Sequence, residues 1–399
     1  MTINPQGQSN KYRSLISQRV GQLLPSGIRR FFDLLASMEG VISLGVGEPN
    51  FNTPWHIRET AIYSIEQGYT VYTSNVGMLE LRELLSCYLK DTYKLAYKPN
   101  SELLITVGVS EALDLAMRAV INPGDEVIMP DPCYVSYSAC VILAGGIPIM
   151  VTTSEEKNFE ISAVDIEAKI TNKTKAILMG YPANPTGTVM PVNKLKEIAE
   201  VARRHNLLLI SDEIYAKLVY GATHTCLATL PEIRHSTILL GGFSKTYAMT
   251  GWRIGYAAAS EEIISAMTKI HQYTIMSAPT MGQVAAIEAL KSSDNSVTEM
   301  VEEYNQRRLM MVEGLNTIGL SCFEPKGAFY AFPSIKVTAM TSEEFAERLL
   351  LEEKVAVIPG NAFGKGGESY VRCCYATSLA ELEEALARMK RFVAKYIKV

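Results

Sequence analysis

The chain has 399 residues, 48% hydrophobic and 20% charged, the composition of a soluble globular protein with room for two or three domains and a large core. A formal net charge of −4 disfavours a dedicated nucleic-acid binder, and no run approaches the ~18 apolar residues that span a bilayer. The N-terminal M-T-I-N-P-Q-G-Q-S-N lacks the features of a signal peptide, the seven cysteines form no C-x-x-C or His-paired metal pattern, and the sequon Asn172-Lys173-Thr174 means little without secretion, so a reduced, cytoplasmic enzyme with no bound metal is expected.

In chain order, a helix capped by Ser26 is predicted over 28–38, followed by a short strand over Val41–Leu44. Leu103–Val107 reads as a strand that turns at Gly108 into a helix over Ser110–Val120. Glu126–Met129 is a strand ending in Pro130-Asp131-Pro132, and the apolar stretch after it, Ala139–Val151, is broken by Gly145, Gly146 and Pro148. Ala176–Met179 runs into Y-P-A-N-P-T-G, and a helix over Lys194–Arg204 leads to the strand Leu207–Ile210 and then Ser211-Asp212-Glu213. Thr237–Leu240 is a further strand. Each polar cluster lies just past the C-terminal end of a strand, where open α/β sheets bind ligands. From about Thr280 a long amphipathic helix containing Arg307-Arg308 is expected. It precedes strands over Val355–Ile358 and Tyr370–Tyr375, with Cys373 and Cys374 as small hydrophobic fillers, and a closing helix over Leu379–Tyr396. The expected division is a large α/β unit over 48–285 and a smaller α+β unit built from both chain ends, 1–47 and 286–399.

The segment Gly242–Gly255, G-F-S-K-T-Y-A-M-T-G-W-R-I-G, sets Lys245 between Ser244 and Arg253 in a Gly-rich apolar loop. Burial and nearby positive charge lower a lysine pKa and make its amine a nucleophile, able to form a Schiff base with an aldehyde cofactor whose phosphate Ser244 and Arg253 would hold. A lone S-K-x-x would read as a surface lysine beside a structural arginine. Here further blocks follow in order: G-V-G-E-P, Y-T-S-N-x-G-x-x-E-L-R, V-G-V-S-E-A-L, Y-P-x-N-P-T-G, S-D-E-I-Y, P-K-G-A-F-Y and V-R-C-C-Y-A-T-S. From about Val41 to Leu382 the chain resembles the fold type I, class I/II pyridoxal-phosphate aminotransferases, most closely the aspartate and aromatic amino acid branch.

Pyridoxal 5'-phosphate requires an acid at its pyridine nitrogen, donors to its phenolate, a phosphate cradle and a face for its ring. Asp212 is the candidate acid, although an Asp at a strand end is also a common turn or cap residue. Tyr215 and Asn184 can both serve the phenolate oxygen, although Asn-Pro is also an ordinary turn initiator. Gly108-Val109-Ser110 at a helix N-terminus offers free N–H groups to the phosphate, with Ser110 doubling as N-cap. Tyr134 is the candidate to stack on the ring, or else a core tyrosine. Arg372, among apolar residues on a strand, is either paired to a buried acid or waits for a substrate carboxylate. Gly47 would let the backbone approach that substrate.

The resemblance implies a mainly parallel seven-stranded sheet between helices and a homodimer whose active sites lie at the subunit interface, Tyr72 reaching the cofactor phosphate of the neighbouring subunit. It also implies ping-pong transamination of an L-amino acid (aspartate or aromatic) with a 2-oxo acid, 2-oxoglutarate first. Lys245 would hold the cofactor and then carry the proton from Cα as base and acid. Two departures stand out: Val109 where many relatives have Gly or Ser, and Tyr134 where many aspartate-specific relatives have Trp. A same-fold lyase, or a transaminase for alanine or an N-acylated diamino acid, would use the same cofactor residues. A cofactor-sensing regulator would need a DNA-binding module for which the first ~40 residues are too short and insufficiently basic. The side-chain reader stays open: 271–290 contains no Lys or Arg, and Arg29 and Arg30 are either its substitute or solvated helix charges.

Overall fold

The computed structural model describes residues 15–23, 38–292 and 295–397. The expected helix 28–38, with Ser26, Arg29 and Arg30, therefore lies outside the described residues except for Met38, which is not helical. A short strand follows, β1 (Ile42–Ser43), and then seven strands join in one sheet. These are β2 (Leu103–Thr106), β3 (Glu126–Asp131), β4 (Ile147–Thr152), β5 (Thr174–Gly180), β6 (Leu208–Asp212), β7 (Thr237–Gly242) and β8 (Gly255–Ala258). Their spatial order is β2-β8-β7-β6-β5-β3-β4. The central and β4-side pairs are parallel, and β8 alone runs antiparallel to its neighbours β7 and β2. The strands of the middle are buried on both faces, as their near-continuous Leu, Ile and Ala runs require. Helices supply the cover: 108–120 on one face, 55–66, 79–93 and 280–291 on the other, and 192–204 against β5 and β6.

Two of the seven strands go beyond the residue-level expectation. β4 forms through Pro148, which pairs with Val127; since β4 is an edge strand, the missing proline N–H breaks no ladder. β8 begins at the last glycine of the lysine segment, which had read as loop throughout. Register places the ends of β5, β6 and β7 side by side, with Gly180 opposite Asp212 and Asp212 opposite Leu240.

The remaining strands are short. β9 (Tyr330–Ala331), β10 (Val355–Ala356), β11 (Ile358–Pro359) and β12 (Val371–Cys374) form two small sheets, β1-β10 and β11-β12-β9. The single strand expected over Val355–Ile358 splits because its two halves have different partners: β10 pairs parallel with β1, β11 antiparallel with β12. The long helix expected from Thr280 is likewise two, Thr280–Lys291 and Ser296–Thr317. Cys373 and Cys374 are buried in β12. One core packs Leu44 with Tyr304, Phe329, Tyr330, Phe345 and Phe392, joining sequence from both ends. The closing helix Leu379–Tyr396 carries a complete capping box, Ser378 with Glu381. Among the described residues no helix is long and apolar enough to cross a membrane.

Candidate active site

The chain folds a cleft of about 360 Å³ at the C-terminal ends of β5, β6 and β7. Gly47, Val109, Ser110, Tyr134, Asn184, Asp212, Tyr215, Ser244, Lys245, Arg253 and Arg372 all line it. Tyr72 does not; it is 79% exposed within this chain. Asp212 is the last residue of β6, and Lys245 follows the end of β7 in the next loop, so adjacent parallel strands deliver both. Gly108 opens the helix 108–120 at φ +71°, and a Cβ there would stand 2.6 Å from Arg253 Nη2, so only glycine lets this turn pass the guanidinium. A side chain at Gly47 would overlap the Tyr330 hydroxyl in the same way.

Ser110 is not the helix cap. The helix begins at Gly108, which puts Ser110 in the first turn, and the cap position is Val107. Glu111 does the capping instead: its Oε2 accepts the Val107 N–H at 2.5 Å while Oε1 meets His271 Nδ1 at 2.7 Å. The Ser110 hydroxyl is thereby left to the cleft.

Lys245 Nζ donates to the Gly47 carbonyl at 2.7 Å. Burial above all pulls its pKa down to about 8, with Arg372 and Arg253 adding to the fall against Cys374 and Glu48. Burial also pushes the Asp212 carboxyl up to about 6, restrained by donation from the Tyr137 hydroxyl (2.9 Å) and the Ile214 N–H (3.1 Å). The Tyr215 hydroxyl, held far above its ordinary range by burial, pairs with the Tyr330 hydroxyl at 2.7 Å. Tyr134 is half-buried and meets Tyr137 edge-on, centroids 5.5 Å apart. Arg253 is exposed at the cleft mouth, with Nη1 donating to the Thr250 carbonyl at 3.0 Å.

Arg372 is 5% exposed. It donates through Nη1 to Asn184 Oδ1 (3.1 Å) and through Nη2 to the Gly45 carbonyl (2.6 Å), and its Nε is buried with no partner. Its guanidinium carbon lies 4.4 Å from the Tyr330 ring centroid and 4.9 Å from that of Phe363. No carboxylate pairs with it among the described residues, so a buried acid is not its partner. Asn184 uses its carbonyl on Arg372 and keeps its amide N–H groups for another acceptor.

Residue-level reading passed over Tyr137, Tyr330 and Glu48, all lining the cleft. Tyr137 shares the D-P-C-Y-V-S-Y run with Tyr134, one helical turn on; Tyr330 ends the P-K-G-A-F-Y block. Both signals were in the sequence, but neither residue type announces a hydrogen bond to a functional side chain.

The class I and II aminotransferase family matches residues 39–389. Among similar proteins is YugH of Bacillus subtilis (strain 168), provisionally named an aminotransferase with no substrate given: 56% identical, over 96% of this chain and 99% of that one. An aspartate aminotransferase of Pyrococcus abyssi is 45% identical over 94% of this chain and 97% of its own length. The crystal structure of an aromatic aminotransferase from Pyrococcus horikoshii OT3 superposes with a TM-score of 0.88 at 43% identity, covering 92% of this chain and 99% of that one. With this agreement in sequence and fold around a half-buried lysine of lowered pKa, the chain belongs to the class I and II aminotransferases, enzymes that work with pyridoxal phosphate.

Proposed function

We propose that this cleft moves the amino group of aspartate or an aromatic L-amino acid to a 2-oxo acid, 2-oxoglutarate first, in ping-pong order. The observation that carries the reading is Arg372, a buried guanidinium with no carboxylate partner among the described residues, lining the same cleft as a lysine of pKa about 8. A planar cation with spare donors suits the α-carboxylate of an amino acid or oxo acid.

The donor set fits pyridoxal phosphate. Val109, Ser110, Ser244 and Arg253 offer N–H, hydroxyl and guanidinium groups to its phosphate, with the positive end of the helix 108–120 behind them. Asp212 suits its pyridine nitrogen, Tyr215 and Asn184 its phenolate oxygen, and Tyr134 its ring face. When bound, the cofactor supplies an electron sink for the bonds at the substrate Cα. Lys245 Nζ, near neutrality in its proton affinity, would take the proton from the substrate Cα as base and deliver it as acid to the cofactor's C4′ carbon. Arg372 and the Gly45–Gly47 backbone orient the substrate carboxylate.

The same reading divides the chain into a cofactor-holding unit, 48–285, and a second unit from 1–47 and 286–399. It makes the enzyme a cytoplasmic homodimer, which suits seven thiols without a disulfide. Tyr72 lies with Tyr69, Val71, Tyr273 and Met276 among the exposed apolar side chains, and Asn75 Nδ2 to the Met276 carbonyl (2.8 Å) ties the two stretches together. A second copy would cover such a surface and bring Tyr72 to the neighbouring cofactor phosphate. Mixed dimers of Lys245→Ala and Tyr72→Ala chains should then regain activity, up to about a quarter of wild type, because half the dimers carry one intact site.

Substrate choice is tested by presenting twenty amino acids to the purified, cofactor-loaded enzyme and following the cofactor absorbance in the half-reaction. Fast conversion with aspartate or an aromatic amino acid, and stoichiometric transfer of nitrogen to 2-oxoglutarate, supports the proposal. Release of ammonia in place of transfer would make the enzyme a lyase.

A further inference from the structure

Glu213 sits between two residues of the cleft, Asp212 and Ile214, but does not line it. Its carboxylate borders a separate small void with Ser211, His224 and Leu227. Oε1 accepts from the Ser211 hydroxyl at 2.7 Å and the Leu227 N–H at 3.3 Å, and Oε2 is closely paired with His224 Nε2. The pair is deeply buried, the His224 side chain 8% exposed and that of Glu213 4%. The fold thus spends an imidazole, a hydroxyl and a backbone N–H on a carboxylate that touches no part of the cleft.

The cost of leaving that carboxylate unmatched falls on its neighbour. Asp212 is raised first by burial and further by the Glu213 charge beside it, and Tyr137 is the polar side chain that faces it in the cleft wall. Burial would lower His224, but Glu213 overrides this and holds the imidazole above its ordinary value against Lys217. Burial would likewise raise Glu213, but His224, Ser211 and the Leu227 N–H hold it below. The other groups that feel Glu213 are Tyr93, Tyr97, Tyr256 and Cys226, all held protonated and neutral by burial. His224 is therefore the cation in contact with the charge next to Asp212.

We propose that His224 is a positioning residue for transamination: through Glu213 it cancels the charge beside Asp212 and fastens the 224–227 segment to the end of β6, keeping Asp212 ionised and fixed toward the cofactor's ring nitrogen. This rests on the reading of Asp212 as the partner of that nitrogen.

The test uses full-length protein carrying Lys245→Ala, so that neither covalent capture nor the lysine's own titration enters. The dissociation constant of pyridoxal phosphate is measured from pH 5 to 8.5. The part of the pH dependence that disappears on adding Asp212→Asn is the Asp212 titration. His224→Gln should move that midpoint up by about half a unit to one unit, and so weaken binding about three- to tenfold close to it. Glu213→Gln should move it down, and in its presence His224→Gln should have no further effect. If His224→Gln does not fold, Glu213→Gln decides alone: a lower midpoint supports the inference and an unmoved one overturns it. A purely structural histidine would weaken binding equally at every pH, or shift all variants in one direction, and either outcome overturns the inference. A pH dependence that survives Asp212→Asn removes the ring-nitrogen role of Asp212 and the inference with it. One that vanishes there but ignores His224 and Glu213 overturns the inference and leaves the Asp212 reading standing.

Discussion

Two buried arginines, Arg308 and Arg372, are equally hidden from solvent at 5% exposure, yet one is finished and the other is not. Arg308 has a carboxylate, Glu324 Oε1 at 2.8 Å, with Asn305 Oδ1 (2.9 Å) and the Pro325 carbonyl (3.1 Å) around it. Arg372 has a neutral amide, a carbonyl and two aromatic rings, and a bare Nε. A buried cation is tolerable when paired and costly when not, and Arg372 also lines the cleft, which is why the proposal completes it with a substrate carboxylate that comes and goes. The same contrast separates the two walls of the cleft. The sheet wall, at the ends of β6 and β7, gives Asp212 two internal donors, as suits a resident cofactor. The wall from Gly45–Gly47, Tyr330 and Arg372 is left open, as suits a substrate.

The largest effect that would break this division is expected at Lys245. Lys245→Ala should lower turnover by about four orders of magnitude or more, because the proposal gives the same amine the work of nucleophile and proton carrier. The sheet wall should still retain pyridoxal phosphate noncovalently, and borohydride should no longer fix the cofactor to the chain. Retained turnover would end the assignment of this lysine. Next comes Arg372→Ala, for which a loss of about 3–5 kcal/mol in kcat/KM is expected, the cost of removing one partner from a buried charge pair. Affinity for pyridoxal phosphate should fall far less, by no more than the loss of the Arg372 bond that steadies Asn184. Equal losses in cofactor and substrate affinity would show that the two walls are not separate.

The sheet wall was the more legible of the two, for a physical reason. Asp212, Asn184 and Lys245 follow strands whose β-branched and apolar runs announce themselves, and a parallel sheet places every such loop on one edge. β4 and β8 did not announce themselves. Pro148 and two glycines hide an edge strand that needs no N–H there, and β8 is only four residues long, directly behind the lysine loop. The second wall depends on contacts across hundreds of residues, such as Arg372 to Gly45, which no local pattern encodes. Arg372 could be singled out as an arginine in an apolar strand, but its lack of an acid partner only emerges once the chain is folded. Glu111 capping the helix in place of Ser110 shows a smaller version of the same limit: a capping serine and a capping glutamate one residue apart are equally plausible until the first turn is placed.

A smaller effect, of opposite sign for stability, belongs to Asp212. Its carboxyl is raised from an ordinary 3.8 to about 6, so the folded protein without cofactor holds a proton there that the unfolded chain has released. The stabilisation this gives is fully present below about pH 4 and is lost as pH rises through 6; above 6 the buried charge costs about 3 kcal/mol relative to a neutral group. Asp212→Asn should accordingly melt higher than wild type in cofactor-free protein above pH 6 and show no gain below pH 4. A lower melting temperature at neutral pH would mean that Tyr137 and Ile214 fully compensate the carboxylate.

The smallest expected effect lies where the walls meet. Tyr330 belongs to both: its hydroxyl bonds Tyr215 at 2.7 Å on the side proposed for the cofactor, and its ring lies 4.4 Å from the Arg372 guanidinium on the side proposed for the substrate. Tyr330→Phe removes the first contact and keeps the second. The net loss should be that of one hydrogen bond, about 0.5–1.5 kcal/mol, seen as a cofactor affinity weakened about two- to tenfold. KM for the amino acid should hold, because the ring still faces Arg372. Tyr330→Ala removes both contacts and should weaken cofactor and substrate together. If Tyr330→Phe instead raises KM and spares the cofactor, the Tyr330 hydroxyl serves the substrate wall, and the boundary between the two walls runs between Tyr215 and Tyr330 rather than through Tyr330.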